Sequence, residues 1–166
     1  MTESGGLTMT LADLEVAPGE PRQLSGRIWF TLAGTDFPGA RWSDTPLPVL
    51  GSLCEALARA GRGEAGEVYF FEGPYYVRLV PVPGDGPEPR VEALGVCDRA
   101  GLVSGSGEGT VEARSGSVPL AAVRGECARL LGELAVWARQ HGHPEPADRA
   151  VRMAAAVAGP AEGGGR

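Results

Sequence analysis

The chain has 166 residues, of which 43% are apolar and 22% are charged, which is typical of one globular domain that needs no disulfide to stabilise its core. No stretch approaches the ~20 consecutive apolar residues that cross a bilayer, and no basic segment precedes an apolar one at the N-terminus, so we expect a cytoplasmic protein with no membrane span. The net charge of −6 disfavours nucleic-acid binding, which needs a basic surface. It either attracts a basic partner protein at long range or simply keeps the domain soluble.

Both ends of the chain are predicted to be flexible, because residues 1–10 are polar and residues 159–166 offer nothing to bury. A single domain is therefore expected over residues 11–158. It opens with a short strand or turn at residues 11–16, and a clear strand follows over residues 23–33. The apolar side chains of this strand share one parity, as in a strand with one buried face: Leu24, Ile28, Phe30 and Leu32.

A long loop after Gly34 leads into a predicted helix that begins near Pro46 and ends at Gly61. Asp44 or Thr45 is suited to cap this helix, because either side chain can accept hydrogen bonds from free amide groups of the first turn. A proline is tolerated in that turn, where its missing N–H costs nothing.

Further strands are predicted from aromatic and β-branched residues. They are residues 67–71, 75–82, 90–97 and, as a weaker candidate for an edge strand, 110–114. The first two form a hairpin, because the Glu72-Gly73-Pro74 segment between them is long enough only for a reversal. A glycine-rich loop at residues 101–109 precedes the last strand.

A long helix from Ser117 to Gly142 is predicted by a stripe of apolar residues at helical spacing. Beside it runs a stripe of small residues that would let another backbone come close, and we call it the small-residue stripe: Ala121, Gly125, Ala128, Gly132 and Ala135. A short helix over residues 146–157 is expected to fold back onto it. The order of elements predicts an α+β fold, with an antiparallel β-sheet of about four to five strands, helices packed on one face and a long C-terminal helix.

Six residues form the predicted partner-binding site: Asp36, Phe37, Trp42, Asp44, Glu72 and Tyr76. Aromatic anchors flanked by carboxylates are typical of a hot spot for a basic protein, since aromatic rings supply rigid contact area and carboxylates receive Arg or Lys. In the competing interpretation, Phe37 and Trp42 plug the end of the core and Asp44 caps the helix. The face of the sheet that no helix covers would add further aromatic side chains to this surface. They are Trp29 and the side chains that point to the same face as Tyr69 and Phe71.

The sequence contains no nucleophile with an adjacent base and no metal or phosphate-loop motif, so no catalytic, metal-binding or cofactor-binding residue is predicted. Cys54, Cys97 and Cys127 show no C-x-x-C spacing and are interpreted as small hydrophobic residues of the interior. His141 and His143 have only two acidic residues just downstream that could complete a metal site.

Two segments carry a resemblance to a known group of proteins. They are F-P-x-x-x-W-x-D-x-P-x-x-V-L, from Phe37 to Leu50, and F-x-E-G-P-Y-Y, from Phe70 to Tyr76. Together with the preceding strand, residues 26–80 resemble small single-domain bacterial immunity proteins, which are encoded beside secreted toxins and neutralise them by binding. The resemblance implies a non-catalytic, acidic, cytoplasmic inhibitor. The residues of the two segments that it would use are Phe37, Trp42, Asp44, Glu72 and Tyr76.

Three hypotheses about function follow. The first is a protein-binding module that occludes another protein, such as a basic toxin or enzyme, with no nucleic acid or membrane as partner. The second is a small enzyme or ligand-binding protein with a pocket between the sheet and the loop 101–109. The third is a structural subunit, for example a homodimer, that pairs through the small-residue stripe. An open aromatic face favours the first, an enclosed cavity with converging polar groups the second, and an uncovered stripe the third.

Overall fold

The computed structural model describes residues 5–18, 23–84, 86–99 and 109–158. Eight strands and three helices lie in these ranges, in the order β1 (Leu7–Val16), β2 (Leu24–Leu32), β3 (Thr35–Phe37), β4 (Ser43–Asp44), α1 (Pro46–Gly61), β5 (Gly66–Tyr69), β6 (Tyr75–Val82), β7 (Arg90–Cys97), β8 (Thr110–Pro119), α2 (Leu120–Gln140) and α3 (Pro144–Val157). The α+β class and the long helix near the C-terminus are confirmed. The predicted tail at 159–166 and all but the last residue of the predicted loop at 101–109 lie outside the described residues.

The strands divide between two antiparallel sheets of four strands each, where the sequence predicted one sheet. In the N-terminal sheet, β2 pairs with β1 along its length and with β3 and β4 in turn. In the C-terminal sheet, the strands follow the order β5-β6-β7-β8. The chain changes sheets through α1, because this helix follows β4 directly and leads into β5.

Strand β2 shows why the N-terminal sheet forms. Its residues alternate between buried and half-buried along the whole strand, as the period of two in its sequence predicts. The turn into β3 places Ala33 and Gly34 at φ angles of 47° and 85°, and two successive positive values are the geometry of a tight hairpin turn whose twist matches the strands.

The two sheets meet at a cluster of three phenylalanine rings. Phe30 of β2 and Phe37 of β3 each contact Phe70 edge to face, with ring centroids 6.0 and 6.3 Å apart. Gly95 of β7 makes room for this contact, since an added Cβ would lie 2.7 Å from the Phe37 ring. Phe37 therefore belongs to the core between the sheets.

Helix α1 closes the outer edge of β5. A Cβ added at Gly66 would lie 2.6 Å from the Cα of Ala56, so only glycine lets strand and helix backbones approach so closely. The Tyr69 N–H, which points away from β6, donates to Ser52 Oγ of α1 at 2.9 Å. This edge of the C-terminal sheet is thereby covered.

Side chains of α2 close the edge of β1 in a comparable way. The Met9 N–H donates to Glu126 Oε2 at 2.9 Å, and Arg129 Nη2 donates to the Met9 carbonyl at 2.7 Å. Arg129 also pairs with Glu126 and Glu133. Its hydrogen bond and that of the Met9 N–H lower the pKa of Glu126, against the opposing effect of burial.

Three element boundaries differ from the sequence predictions. The folded part begins before residue 11, because Leu7 pairs with Leu32 and the residues up to Val16 continue this pairing. Ser117 was predicted to open the long helix, but it pairs with Glu92 as part of β8. The last helix begins at Pro144, two residues earlier than predicted.

The small-residue stripe is only partly packed. Helix α3 lies along α2 as predicted, and Ala135 is buried. Gly125 and Gly132, however, are exposed, and a Cβ added at either would meet nothing within 4 Å. The prediction that these two glycines admit a close neighbour within the chain is therefore wrong.

Candidate functional site

The carboxylate of Asp44 organises the loop between β5 and β6, residues 70–74, which we call the hairpin tip. Asp44 is 3% exposed. Its Oδ2 accepts the N–H groups of Phe71 at 2.9 Å and Glu72 at 3.2 Å, together with the Trp42 indole N–H at 2.9 Å. Its Oδ1 accepts the Thr45 N–H at 2.7 Å and the Thr45 hydroxyl at 3.3 Å.

These bonds correct two predictions for Asp44. The residue does not cap α1, since Thr45 occupies the N-cap position and makes no side-chain cap bond. It is also too deeply buried to receive a cationic group from a partner. Its role is to fix the hairpin tip, because hydrogen bonds to an ionised acceptor are among the stronger ones in proteins.

Aromatic rings support the tip from below. Phe37 contacts Tyr75 and Tyr75 contacts Trp42, both edge to face, with centroids 5.7 and 5.2 Å apart. Phe37 is 1% exposed, while Trp42 and Tyr75 are half-buried against the core. The prediction that Phe37 contacts a partner is wrong, and the competing interpretation of Phe37 and Trp42 as core plugs describes their packing.

The other three predicted site residues lie at the surface in different places. Asp36 is exposed on β3 and accepts a hydrogen bond from the Thr31 hydroxyl at 2.7 Å. Glu72 is exposed on the hairpin tip, and Tyr76 is half-buried at the start of β6. The structure thus brings Glu72 and Tyr76 to one hairpin, whereas Asp36 belongs to the other sheet.

Two residues outside the predicted site carry the most exposed aromatic surface of the described chain. Tyr69 is 47% exposed and Phe71 is 55% exposed, on either side of the buried Phe70. The Tyr69 and Tyr76 rings lie 6.4 Å apart across the hairpin. We call Tyr69, Phe71 and Tyr76 the aromatic patch. The sequence signal for these exposed residues is the alternation of the strand: Val68 and Phe70 are buried, so Tyr69 and Phe71 between and after them face outward.

Carboxylates surround the aromatic patch. The Tyr69 hydroxyl donates to Glu67 Oε2 at 2.6 Å, and this bond raises the pKa of Tyr69. Partial burial raises the pKa of Tyr76, and the charges of Glu67 and Asp98 raise it further, with a smaller opposing effect from Arg78. Part of each shift comes from the charge of Glu67, because nearby negative charge disfavours the phenolate.

Open clefts also lie on the surface of the described residues. One, of about 530 Å³, lies between the start of α1 and the α2–α3 turn. Another, of about 520 Å³, adjoins the hairpin tip, since Trp42, Asp44 and Glu72 line it together with Arg27 and Arg41. A further cleft, of about 370 Å³, is lined by Cys97, Arg99, Thr110 and Glu112. The loop that was predicted to close a pocket falls outside the described residues.

Among the described residues, no group of three or more His, Cys, Asp or Glu side chains is arranged to hold a metal ion. His141 instead stacks on Trp137 with centroids 4.4 Å apart, and its Nδ1 lies 2.8 Å from the Trp137 carbonyl oxygen. None of the helices in the described ranges has both the length and the apolar character that a membrane crossing requires.

No protein-family model, curated protein or solved structure matches this chain. The resemblance to immunity proteins therefore stays a prediction, and the site has to be interpreted from its own geometry.

Proposed function

We propose that this protein is a non-catalytic binding module that captures a basic partner protein on the aromatic patch and occludes it, as an immunity-like or regulatory inhibitor does. The observation that carries this proposal is the presentation of Phe71. Its ring is 55% exposed, while its own N–H is held by the buried Asp44 carboxylate at 2.9 Å. An exposed large apolar side chain on a fixed backbone is a strong anchor for a partner.

Rigidity matters for affinity because association loses less conformational entropy when the contact surface is already ordered. The tip is held by the Asp44 carboxylate, by the Trp42 and Tyr75 rings, and by the Phe70 N–H bond to the Tyr75 carbonyl at 3.1 Å. The backbone that carries Phe71 and Glu72 is therefore held in place before a partner arrives.

The chemistry of the partner follows from the border of the patch. Glu67 and Glu72 place negative charge beside the exposed rings. A partner with Arg or Lys around an apolar pocket would complement both features, since the cations pair with carboxylates and stack on aromatic faces. The net charge of −6 would also speed its approach.

A photo-crosslinking experiment tests the proposal. p-Benzoylphenylalanine is introduced in place of Phe71 and, as a matched control, in place of Val136 on α2, which is exposed to the same degree at 54%. Both proteins are expressed and irradiated in the natural host, and crosslinked proteins are identified by mass spectrometry. We expect a basic protein to be captured from position 71 and not from position 136.

With that partner purified, Phe71→Ala should raise the Kd by about 30-fold, the effect of removing a hot-spot side chain. Glu72→Arg should slow association and weaken its dependence on salt, because the protein keeps a negative net charge. Equal crosslinking from both positions, or a Kd unchanged by Phe71→Ala, would show that the aromatic patch is not the binding surface.

A further inference from the structure

Two cysteines that are far apart in sequence meet at the contact between α1 and α2. The sulfur atoms of Cys54 and Cys127 lie 3.9 Å apart, although 73 positions separate the residues in the chain. Cys127 is fully buried, whereas Cys54 is half-buried and reaches the surface. Cys97, the third cysteine, is buried at the end of β7 in the C-terminal sheet.

The geometry requires only a small movement to join the two sulfurs. The sulfur atoms are 3.9 Å apart, and this distance must shorten to the S–S bond length of about 2.05 Å. Each sulfur then moves by roughly 1 Å, a displacement of the size that rotation about the two Cα–Cβ bonds produces.

The environment also gives the two thiols different chemical roles. The hydrogen bond with Cys127 lowers the pKa of Cys54, against the opposing effect of burial. The same contact, together with burial, raises the pKa of Cys127. The thiolate is the reactive form of cysteine, so the more accessible residue of the pair is also the better nucleophile.

We propose that Cys54 and Cys127 form a redox-active dithiol that is oxidised by hydroperoxides to a reversible disulfide between α1 and α2. The Cys54 thiolate attacks one peroxide oxygen, the O–O bond breaks, and water or an alcohol leaves after taking up a proton, which leaves a sulfenic acid on Cys54. The Cys127 sulfur then attacks the Cys54 sulfur, a second water leaves with the Cys127 proton, and the disulfide forms. Two thiols are oxidised and one peroxide is reduced, and an external thiol reverses the change.

The proposal goes beyond partner binding, and it has a measurable structural consequence. The disulfide would close a loop of 73 positions, which restricts the unfolded chain and should raise the Tm by roughly 10 °C. It would also tie down α1, whose Ser52 accepts the Tyr69 N–H at the base of the aromatic patch.

Reduced, folded protein treated with hydrogen peroxide provides the test, with intact mass and Tm as readouts. We expect a mass loss of two hydrogen atoms, the higher Tm, and recovery of both original values with dithiothreitol. Trypsin cleaves after arginine, so the crosslink should join residues 42–59, which contain Cys54, to residues 125–129, which contain Cys127. Cys97 would remain in residues 91–99 as a free thiol.

Matched variants separate this outcome from unspecific oxidation. Cys97→Ser should behave as the wild type, Cys54→Ala should lose the two-hydrogen change, and Cys127→Ala should accumulate a sulfenic acid on Cys54 that dimedone traps. If Cys127→Ala does not fold, the wild type, Cys97→Ser and Cys54→Ala still decide the question. Absence of the disulfide in folded wild type and Cys97→Ser, its formation only in denaturant, or its persistence in Cys54→Ala would overturn the proposal.

Discussion

Replacing Asp44 tests how the hairpin tip is held. In Asp44→Ala, the N–H groups of Phe71, Glu72 and Thr45 and the Trp42 indole N–H all lose the acceptor that the structure gives them at 2.7–3.2 Å. Each hydrogen bond to a charged acceptor contributes about 1.5–3 kcal/mol. Because such contributions are not additive and water reaches an exposed tip, we expect a loss of about 3–5 kcal/mol in the free energy of unfolding.

The isosteric change Asp44→Asn gives a finer measure. Both carboxylate oxygens accept an N–H group, so the amide nitrogen of asparagine faces a donor in either orientation. One bond at least is lost, and the expected destabilisation is about 1–3 kcal/mol. Asp36→Asn is the matched control, since its exposed carboxylate accepts only the Thr31 hydroxyl among the hydrogen bonds of the described residues. It should cost about 0.5 kcal/mol or less.

Urea unfolding followed by circular dichroism measures these differences, and amide hydrogen exchange locates them. The Phe71 and Glu72 amide protons should exchange much faster in Asp44→Asn, while those of β2 should change only as far as global stability does. Wild-type stability in Asp44→Asn, or unchanged protection at these two amides, would refute the assignment of Asp44 as the anchor of the tip.

Two further predictions concern α2. Gly125→Ala and Gly132→Ala should each stabilise the protein by about 1 kcal/mol in thermal unfolding, because the added Cβ meets nothing within 4 Å; a loss of stability, or of an oligomer seen in light scattering, would instead mean that this face packs against a second chain. Glu126→Gln should destabilise the protein most above the unfolded-state pKa of 4.5. Since the folded-state pKa is lower, the wild-type advantage should shrink as the pH falls further, and a gap that is equal at about pH 7 and about pH 3 would contradict this.

Local patterns in the sequence predicted the longer elements, but they missed β3 and β4, which lie in the predicted loop after Gly34, and they did not predict the assembly. The alternation in β2 and the apolar stripe of α2 are visible in single segments, because each period reflects one buried face. The division into two sheets depends on which strands pair, and that choice is made by contacts distant in sequence. Strand β8 illustrates the difficulty. Ser117 pairs with Glu92, whereas Ser115 and Gly116 lie in an irregularity of the ladder before the next pair, Leu94 with Arg114, and the Ser115 hydroxyl accepts the Ala93 N–H.

The site was predicted only in part for a related reason. An aspartate two residues before a proline at a helix start is a local signal for a cap, yet the donors that Asp44 satisfies lie 27 and 28 positions away. The predicted site contained Glu72 and Tyr76, which the structure places at the surface, but also Phe37, which the core absorbs. Phe71 was not in the predicted site, and the only sequence signal for its exposure was that it alternates with Phe70 and so faces the same side as Tyr69.

The burial of Asp44 bears directly on the proposed function. Taking a carboxylate out of water costs several kcal/mol, and a well-packed apolar residue at such a position is often as stabilising or more so. At position 44, however, an apolar residue could not accept the N–H groups of Phe71 and Glu72. It could not hold the backbone that carries an exposed ring and an exposed carboxylate. A partner that binds here meets a backbone that is already ordered, so less conformational entropy is lost on binding and the affinity is higher. If this is right, the variants of Asp44 that lose stability should also capture less partner in the crosslinking experiment at position 71.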